Sequence, residues 1–190
     1  MPYPDALSFF ASRQSVPAKV ITAPVPSRAE LTAILTAAAR VPDHGKLEPW
    51  RILVLQRAAL DRIAAATYSR LKAPGKDDEG AAKAAALFSG APLMVAIVAS
   101  PVPSEKIPAL EQVFSAGNLC FGVLNVALAS GWAATWQSGP MATDAEFLQA
   151  NLGLAEHEYV AGFVVIGSAS GIPPDRPRPD LTRKVTWLDG

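Results

Sequence analysis

Residues 113–136 read VFSAGNLCFGVLNVALASGWAATW, and whether this stretch spans a membrane or fills a core decides the fold. Ser115, Asn118, Asn125 and Ser130 interrupt its apolar character, and Gly117, Gly122 and Gly131 dilute it. A membrane span needs about 20 predominantly apolar residues, so this stretch is read instead as part of a buried core helix, Ala109 to Ser130. Gly131 ends that helix in the manner of a C-terminal glycine cap. Trp132 to Trp136 then reads as a strand.

The surrounding composition agrees with a soluble protein. The chain has 190 residues, 17 basic and 17 acidic, and about half are hydrophobic. At this length it buries about 70% of the surface its unfolded form exposes, enough for one domain over residues 1–190 without disulfides. Its single cysteine, Cys120, has no partner for one. Charged residues make up 18%, below the typical value of about 25%, which implies that a second subunit covers part of the surface. Neutral balance gives no clustered basic face, so neither a nucleic-acid nor a membrane partner is expected. The N-terminal Met1-Pro-Tyr-Pro-Asp5 lacks the basic segment and apolar run of a secretory signal, so a cytoplasmic location is expected.

Leu7, Phe10 and Ala11 share one face of a short opening helix that ends near Arg13. Pro17, Pro24 and Pro26 force an extended connection, after which Ser27-x-x-Glu30 forms a capping box. The helix it opens carries Leu31, Ile34, Leu35 and Ala38 and stops at Pro42, leaving Arg40 in its last turn and Asp43-His44-Gly45 in a loop. Trp50 to Gln56 reads as a strand, and its unbroken Ile52–Leu55 run suits a central one covered on both faces. Ala59 to Leu71 reads as helix, residues 74–80 as a mobile loop, Ala81 to Phe88 as helix and Leu93 to Ala99 as a second buried strand. Beyond the long helix, Thr143-x-x-Glu146 resembles another capping box, opening a helix that Gly153 ends. Tyr159 to Ile166 is the fourth strand. The proline-rich tail after Gly171 is extended, with Lys184 to Trp187 able to pair at a sheet edge. Helices and strands mix without strict alternation, giving an α+β class.

Several chemistries are absent. No Gly-x-Gly-x-x-Gly occurs, and Gly75-x-x-x-x-Gly80 has Ala81 and Ala82 where a phosphate loop has lysine and Ser/Thr. Gly167-Ser-Ala-Ser-Gly171 has alanine in a nucleophile's place. His44 and His157 lie far apart without ligand spacing, so no metal site is expected.

Three segments at element ends carry polar side chains that packing does not call for. Arg13-Gln14-Ser15 places a cation and a hydroxyl donor where they can hold an anion, although an arginine at a helix C-terminus also suits the macrodipole. Arg40 admits the same two readings. His44 is either a functional loop residue or a surface histidine. Trp136, in Trp136-Gln137-Ser138, is either core or site.

Together these segments resemble the flavin-binding positions of the nitroreductase family, in particular its short bacterial branch. The resemblance runs from Arg13-Gln14-Ser15 through Ala38-Ala-Arg-Val-Pro-Asp-His-Gly45 and Pro49-Trp50 to Ser115-Ala-Gly117 and Trp136-Gln-Ser-Gly139. It implies three layers, with a central, mostly antiparallel sheet surrounded by helices. It also implies a homodimer holding FMN at the subunit interface, reduced by NAD(P)H and reoxidised by a nitroaromatic, quinone or similar acceptor. Arg13, Gln14, Ser15, Trp136, Gln137 and Ser138 would meet the flavin from one subunit, and Arg40 and His44 from the other. By the same resemblance Val126, Ala127, Leu128, Ala129, Ser130 and Gly131 would be associated with the nicotinamide nucleotide, although close helix packing also calls for small apolar residues there.

The cofactor carries the chemistry in such a protein, and no side chain is nominated as catalytic. A flavin-storing or flavin-sensing protein without turnover is the alternative. The family often has arginine where this chain has Gln14, and the short branch has arginine at Gln137. Arg176, Arg178, Arg183 or Lys184 in the tail are candidates to replace that charge.

Overall fold

The computed structural model describes residues 4–72, 78–171 and 173–188. In chain order the elements are α1 (Pro4–Ser12), α2 (Arg28–Ala38), β1 (Trp50–Leu55), α3 (Arg57–Leu71), α4 (Glu79–Ser89), β2 (Met94–Ala99), α5 (Ala109–Ala129), β3 (Ala133–Gln137), α6 (Ala145–Leu152) and β4 (Tyr159–Gly167). The four strands form one antiparallel sheet in the order β1-β2-β4-β3.

Strand alternation divides the core into two halves. Met94, Ala96 and Val98 of β2, with Phe163 and Val165 of β4, face Leu60, Ile63 and Phe88 from α3 and α4, and Phe147 and Leu148 from α6. Phe88 meets Phe163 edge to face, with centroids 5.4 Å apart. On the other face Val95, Ile97, Val164 and Ile166 pack on Leu119, Val123 and Ala127 of α5 and on Leu31 and Ile34 of α2. The result is three layers, with α5 as a core helix. Gly122 lets α2 and α5 touch, since a Cβ there would stand 2.8 Å from the Ala38 carbonyl oxygen.

Local signals set most boundaries. Ser27 and Glu30 close the capping box reciprocally, Glu30 N donating to Ser27 Oγ at 3.3 Å and Ser27 N to Glu30 Oε2 at 2.8 Å. Gly131 and Gly153, at φ +86° and +65°, follow α5 and α6 in the left-handed conformation that glycine adopts without strain.

Other expectations are corrected. β1 is an edge strand, not a central one, because among the described residues it pairs only with β2. Its apolar run reports its covered faces, Leu53 packing on one core and Ile52 on the other. Arg40 lies just past α2, beyond its C-cap Ala39. The Thr143–Glu146 capping box is not formed. Asp144 caps α6 by accepting from Phe147 N at 3.0 Å, while Thr143 Oγ1 donates to the Pro140 carbonyl and Glu146 pairs with Arg70. Residues 184–187 form no strand. The loop expected over 74–80 falls largely on residues 73–77, which lie outside the described residues.

One ion pair ties the β1 edge to the approach to β4. Arg51 donates from Nε and Nη2 to the two oxygens of Glu158, both at 2.7 Å, and Ala155 N donates to the same carboxylate at 2.9 Å. Only 6% of the Glu158 side chain is exposed. The Arg51 guanidinium, with that amide, holds the carboxyl at about 2, against an ordinary 4.5. A carboxylate with a lowered folded pKa stabilises the fold above its unfolded pKa, and the stabilisation is lost as pH falls from about 4.5 towards 2. Glu158→Gln is therefore expected to reduce stability by about 2 kcal/mol at pH 7. Urea midpoints should show the gap from wild type narrowing at about pH 3. An equal gap at both pH values would rule the charge out as its cause.

Candidate functional site

The segment after α1 builds the first part of the site. Arg13 N closes the last helical turn on the Phe9 carbonyl at 2.7 Å, and Val16 N donates to Ala134 O on β3 at 3.0 Å. Arg13, Gln14 and Ser15 are held between these anchors. Arg13 Nη2 donates to Ser15 Oγ at 3.1 Å, whereas Arg13 Nε is buried without a protein partner. The proline-rich tail brings Arg176 and Arg178 to the same place, and the five residues line a cavity of about 210 Å³. Arg178 is fixed there, donating to the Ala11 carbonyl at 3.0 Å and pairing with Asp175 at 3.1 Å. The Arg176 side chain makes no ion pair among the described residues. Three guanidiniums and a hydroxyl around a small hollow suit a tetrahedral dianion, because each guanidinium presents a fork of donors. Of the four tail cations considered from sequence, Arg176 and Arg178 line this cradle; Arg183 and Lys184 do not.

Strand alternation separates the residues of the second segment. Trp136 points to the α5 side, where its indole lies across Gly162 so closely that a Cβ on that glycine would collide with it. With Phe114, Gly117, Phe121 and Tyr159 it borders an open apolar hollow of about 700 Å³. Gln137 points the opposite way, into a cavity of about 640 Å³ that Lys19 and Lys83 also line, and its Oε1 is buried without a partner. Ser138 is exposed beyond the strand end.

The end of α5 is divided as well. Leu128 and Gly131 border a cavity of about 550 Å³ shared with Gln14, whereas Val126 and Ser130 face α2 across another. Ala127 is core and Ala129 is exposed. Ser130 Oγ donates back to the Val126 carbonyl at 2.8 Å.

Arg40 and His44 line no part of the arginine cradle. Arg40 is exposed. His44 is presented by a tight loop that Asp43 organises, its carboxylate accepting from Leu47 N at 3.1 Å and Glu48 N at 2.8 Å. Within that loop Gly45 takes a left-handed φ of +73° at no cost, whereas Lys46 and Glu48, at +55° and +46°, are strained, strain of a kind concentrated at functional sites. His44 Nδ1 sits 2.8 Å from Glu111 Oε1, and 61% of its side chain is exposed. Trp50 Nε1 donates to Ser115 Oγ at 3.2 Å, so two outlying members of the sequence pattern hold each other and tie β1 to α5. Cys120 is buried, its thiol pushed up to about 12, and it is no nucleophile at neutral pH.

Sequence reasoning missed Lys19, Lys83, Glu111 and Gly162. Gly162 left a signal, because glycine within an apolar strand marks a close approach.

The family model described as "Nitroreductase family" matches residues 11–168. A relative from Escherichia coli (strain K12), "Putative NAD(P)H nitroreductase YdjA", is 31% identical over 164 residues, covering 86% of this chain and 88% of that protein. The nitroreductase-like family protein from Bacillus cereus has a similar crystal structure, with a TM-score of 0.82 at 18% identity over 100% of this chain and 99% of the other. The structure of a nitroreductase with bound FMN from Desulfitobacterium hafniense DCB-2 matches with a TM-score of 0.71 at 23% identity, covering 100% of both chains. At these identities the two structures establish a shared fold.

Proposed function

Because the chain belongs to the nitroreductase family, we propose that it is an FMN-dependent NAD(P)H oxidoreductase, working as a homodimer of one-domain subunits on a nitroaromatic, quinone or similar acceptor. The observation that carries this reading is the cradle of Arg13, Ser15, Arg176 and Arg178, with Arg13 Nε buried and unpartnered. Its size, charge and orphan donor fit a phosphate monoester. Bound FMN supplies a ring that accepts two electrons as hydride from the nicotinamide and gives them up again.

The chain's own residues bind and orient. Arg13, Arg176 and Arg178 neutralise the phosphate, Ser15 donates to it, and Gln14 borders the path towards the end of α5. Leu128 and Gly131, on the cavity beside Gln14, support an association of residues 126–131 with the nicotinamide nucleotide. Arg40 and His44 reach the flavin of the other subunit, their absence from the local cradle being consistent with that role. The exposed apolar face of α5, with Leu110 62% and Phe114 60% exposed, supports a dimer that covers it. Trp187 and Leu188 in the tail, 84% and 90% exposed, support a partner as well.

The test is the pigment. The purified protein is expected to be yellow and to release FMN, not riboflavin or FAD, on denaturation. A colourless protein that gains no flavin band on titration with FMN would contradict the proposal.

A further inference from the structure

His44 and Trp50 dock on one face of α5, a turn apart. His44 Nδ1 meets Glu111 Oε1 at 2.8 Å, and Trp50 Nε1 donates to Ser115 Oγ at 3.2 Å. Glu111 and Ser115 stand at positions i and i+4 of the helix, which places them on the same side. Gln112, next in the chain and buried, secures the His44 loop by a second route. Its Oε1 accepts from Val102 N at 2.9 Å, and its Nε2 donates to the carbonyls of Val102 at 2.9 Å and Ile107 at 3.2 Å. Ile107, fixed in this way, lies against Gly45 so closely that a Cβ on the glycine would collide with its Cδ1. The backbone beside His44 is therefore held independently of Glu111. What Glu111 holds is the imidazole alone.

An ionised carboxylate accepts hydrogen bonds and donates none, so the ring nitrogen facing it carries the hydrogen. Nε2 is then the outward nitrogen, and among the described residues it has no partner. In the neutral ring it is an acceptor. Glu111 also lies one turn before Phe114, so the pair borders the exposed apolar face of α5. That face is the one given above to the second subunit. We propose that Glu111 is a positioning residue for the partner subunit's flavin, holding His44 as the Nδ1–H tautomer with Nε2 presented across the subunit boundary. The proposal rests on the reading above in which His44 reaches that flavin. Glu111 acts only through His44, fixing before the cofactor arrives a ring that would otherwise have to be ordered on binding.

The chain has two histidines, so nitrogen NMR of the imidazole rings resolves two systems, and His44→Gln assigns one of them. At about pH 9, above the ordinary histidine range, His44 of the wild type should be the Nδ1–H tautomer. Glu111→Gln, whose carbonyl still accepts, should keep it, whereas Glu111→Leu should release the ring to the Nε2–H form that a free side chain favours. In a titration with FMN, Glu111→Leu should weaken binding about fivefold, the worth of one neutral hydrogen bond, and Glu111→Gln should restore most of that affinity. In a His44→Gln background Glu111→Leu should change FMN affinity by less than about twofold, because its only route of action is gone. Glu111→Ala repeats the comparison if the leucine disturbs folding. A wild-type His44 in the Nε2–H form, or an equal loss of FMN affinity in both backgrounds, would overturn the proposal. A protein that binds no FMN would overturn the flavin reading and with it the service to the partner's flavin, while the ring spectra would still decide whether Glu111 holds His44.

Discussion

Arg13→Ala is expected to raise the FMN dissociation constant by about 10- to 100-fold while changing that of riboflavin by less than about threefold. Hydrogen bonds to a charged partner contribute about 1.5–3 kcal/mol, and each 1.4 kcal/mol is about tenfold. Arg13 brings both a fixed Nη2 and an unpartnered Nε to the cradle, so removing it costs more than a surface ion pair would. Riboflavin has no phosphate and isolates that term. Arg176→Gln is the cleaner probe of the tail, because Arg178 also anchors the tail on Ala11. It should weaken FMN about tenfold, and more at low salt than at high salt, since exposed ionic contacts are screened. Gln14→Arg should tighten FMN about fivefold. Gln137→Arg should leave the ratio of FMN to riboflavin affinity where it is, because strand alternation turns residue 137 into the other cavity. Fluorescence titration with both ligands measures each case. If Arg13→Ala weakens both flavins equally, the cradle does not hold the phosphate.

Phe114→Glu with Phe121→Glu is expected to convert a micromolar solution of dimers into monomers that have lost FMN. The two rings are 60% and 43% exposed on one stripe of α5, and Phe10 stacks on Phe121 with centroids 6.0 Å apart. Burying a phenylalanine contributes about 1.5–3 kcal/mol, and a two-fold interface counts every substitution twice. Four carboxylates would enter the contact. Obligate interfaces exceed about 2,000 Å², and exposed apolar side chains on α1, α5 and the tail, Leu7, Phe10, Leu110, Phe114, Phe121, Trp187 and Leu188, are available to such a contact. Sedimentation velocity with absorbance at both the protein and flavin bands reads assembly and cofactor at once. A wild-type chain that sediments as a folded, flavin-loaded monomer would remove both the dimer and the sharing of Arg40 and His44 between subunits.

What the sequence disclosed followed the range of the interaction. The Ser27–Glu30 box and the glycines at 131 and 153 act within a single turn, so they were legible. The apolar run 52–55 was legible as covered but not as an edge, because periodicity records which faces are buried and not which strands pair. Thr143 looked like a cap until its neighbour Asp144 took the role. A carboxylate that also meets Arg70 at 2.8 Å is the stronger acceptor for the first amides of α6. The site residues followed the same rule. Arg13 and Ser15 are neighbours in the chain, and their pairing could be anticipated. Arg176 and Arg178 reach them from the far end of the chain along a tail whose prolines dictate extension but no direction. The fit of the Trp136 indole on Gly162 joins two strands, and the cavity between Lys19 and Lys83 joins a turn to a helix. Gly162 carries a local sign of a close approach but nothing local names Trp136 as its partner, and the relation of Lys19 to Lys83 has no local signature.

Anaerobic addition of NADH or NADPH to the purified, FMN-loaded protein, followed at the flavin's visible band, separates an oxidoreductase from a flavin store. At least one of the two nucleotides should bleach the band within seconds, and a nitroaromatic or quinone acceptor should restore it. A protein that binds FMN but keeps its colour for hours with both nucleotides would be a flavin store or sensor, and would contradict the claim that this chain is an NAD(P)H oxidoreductase.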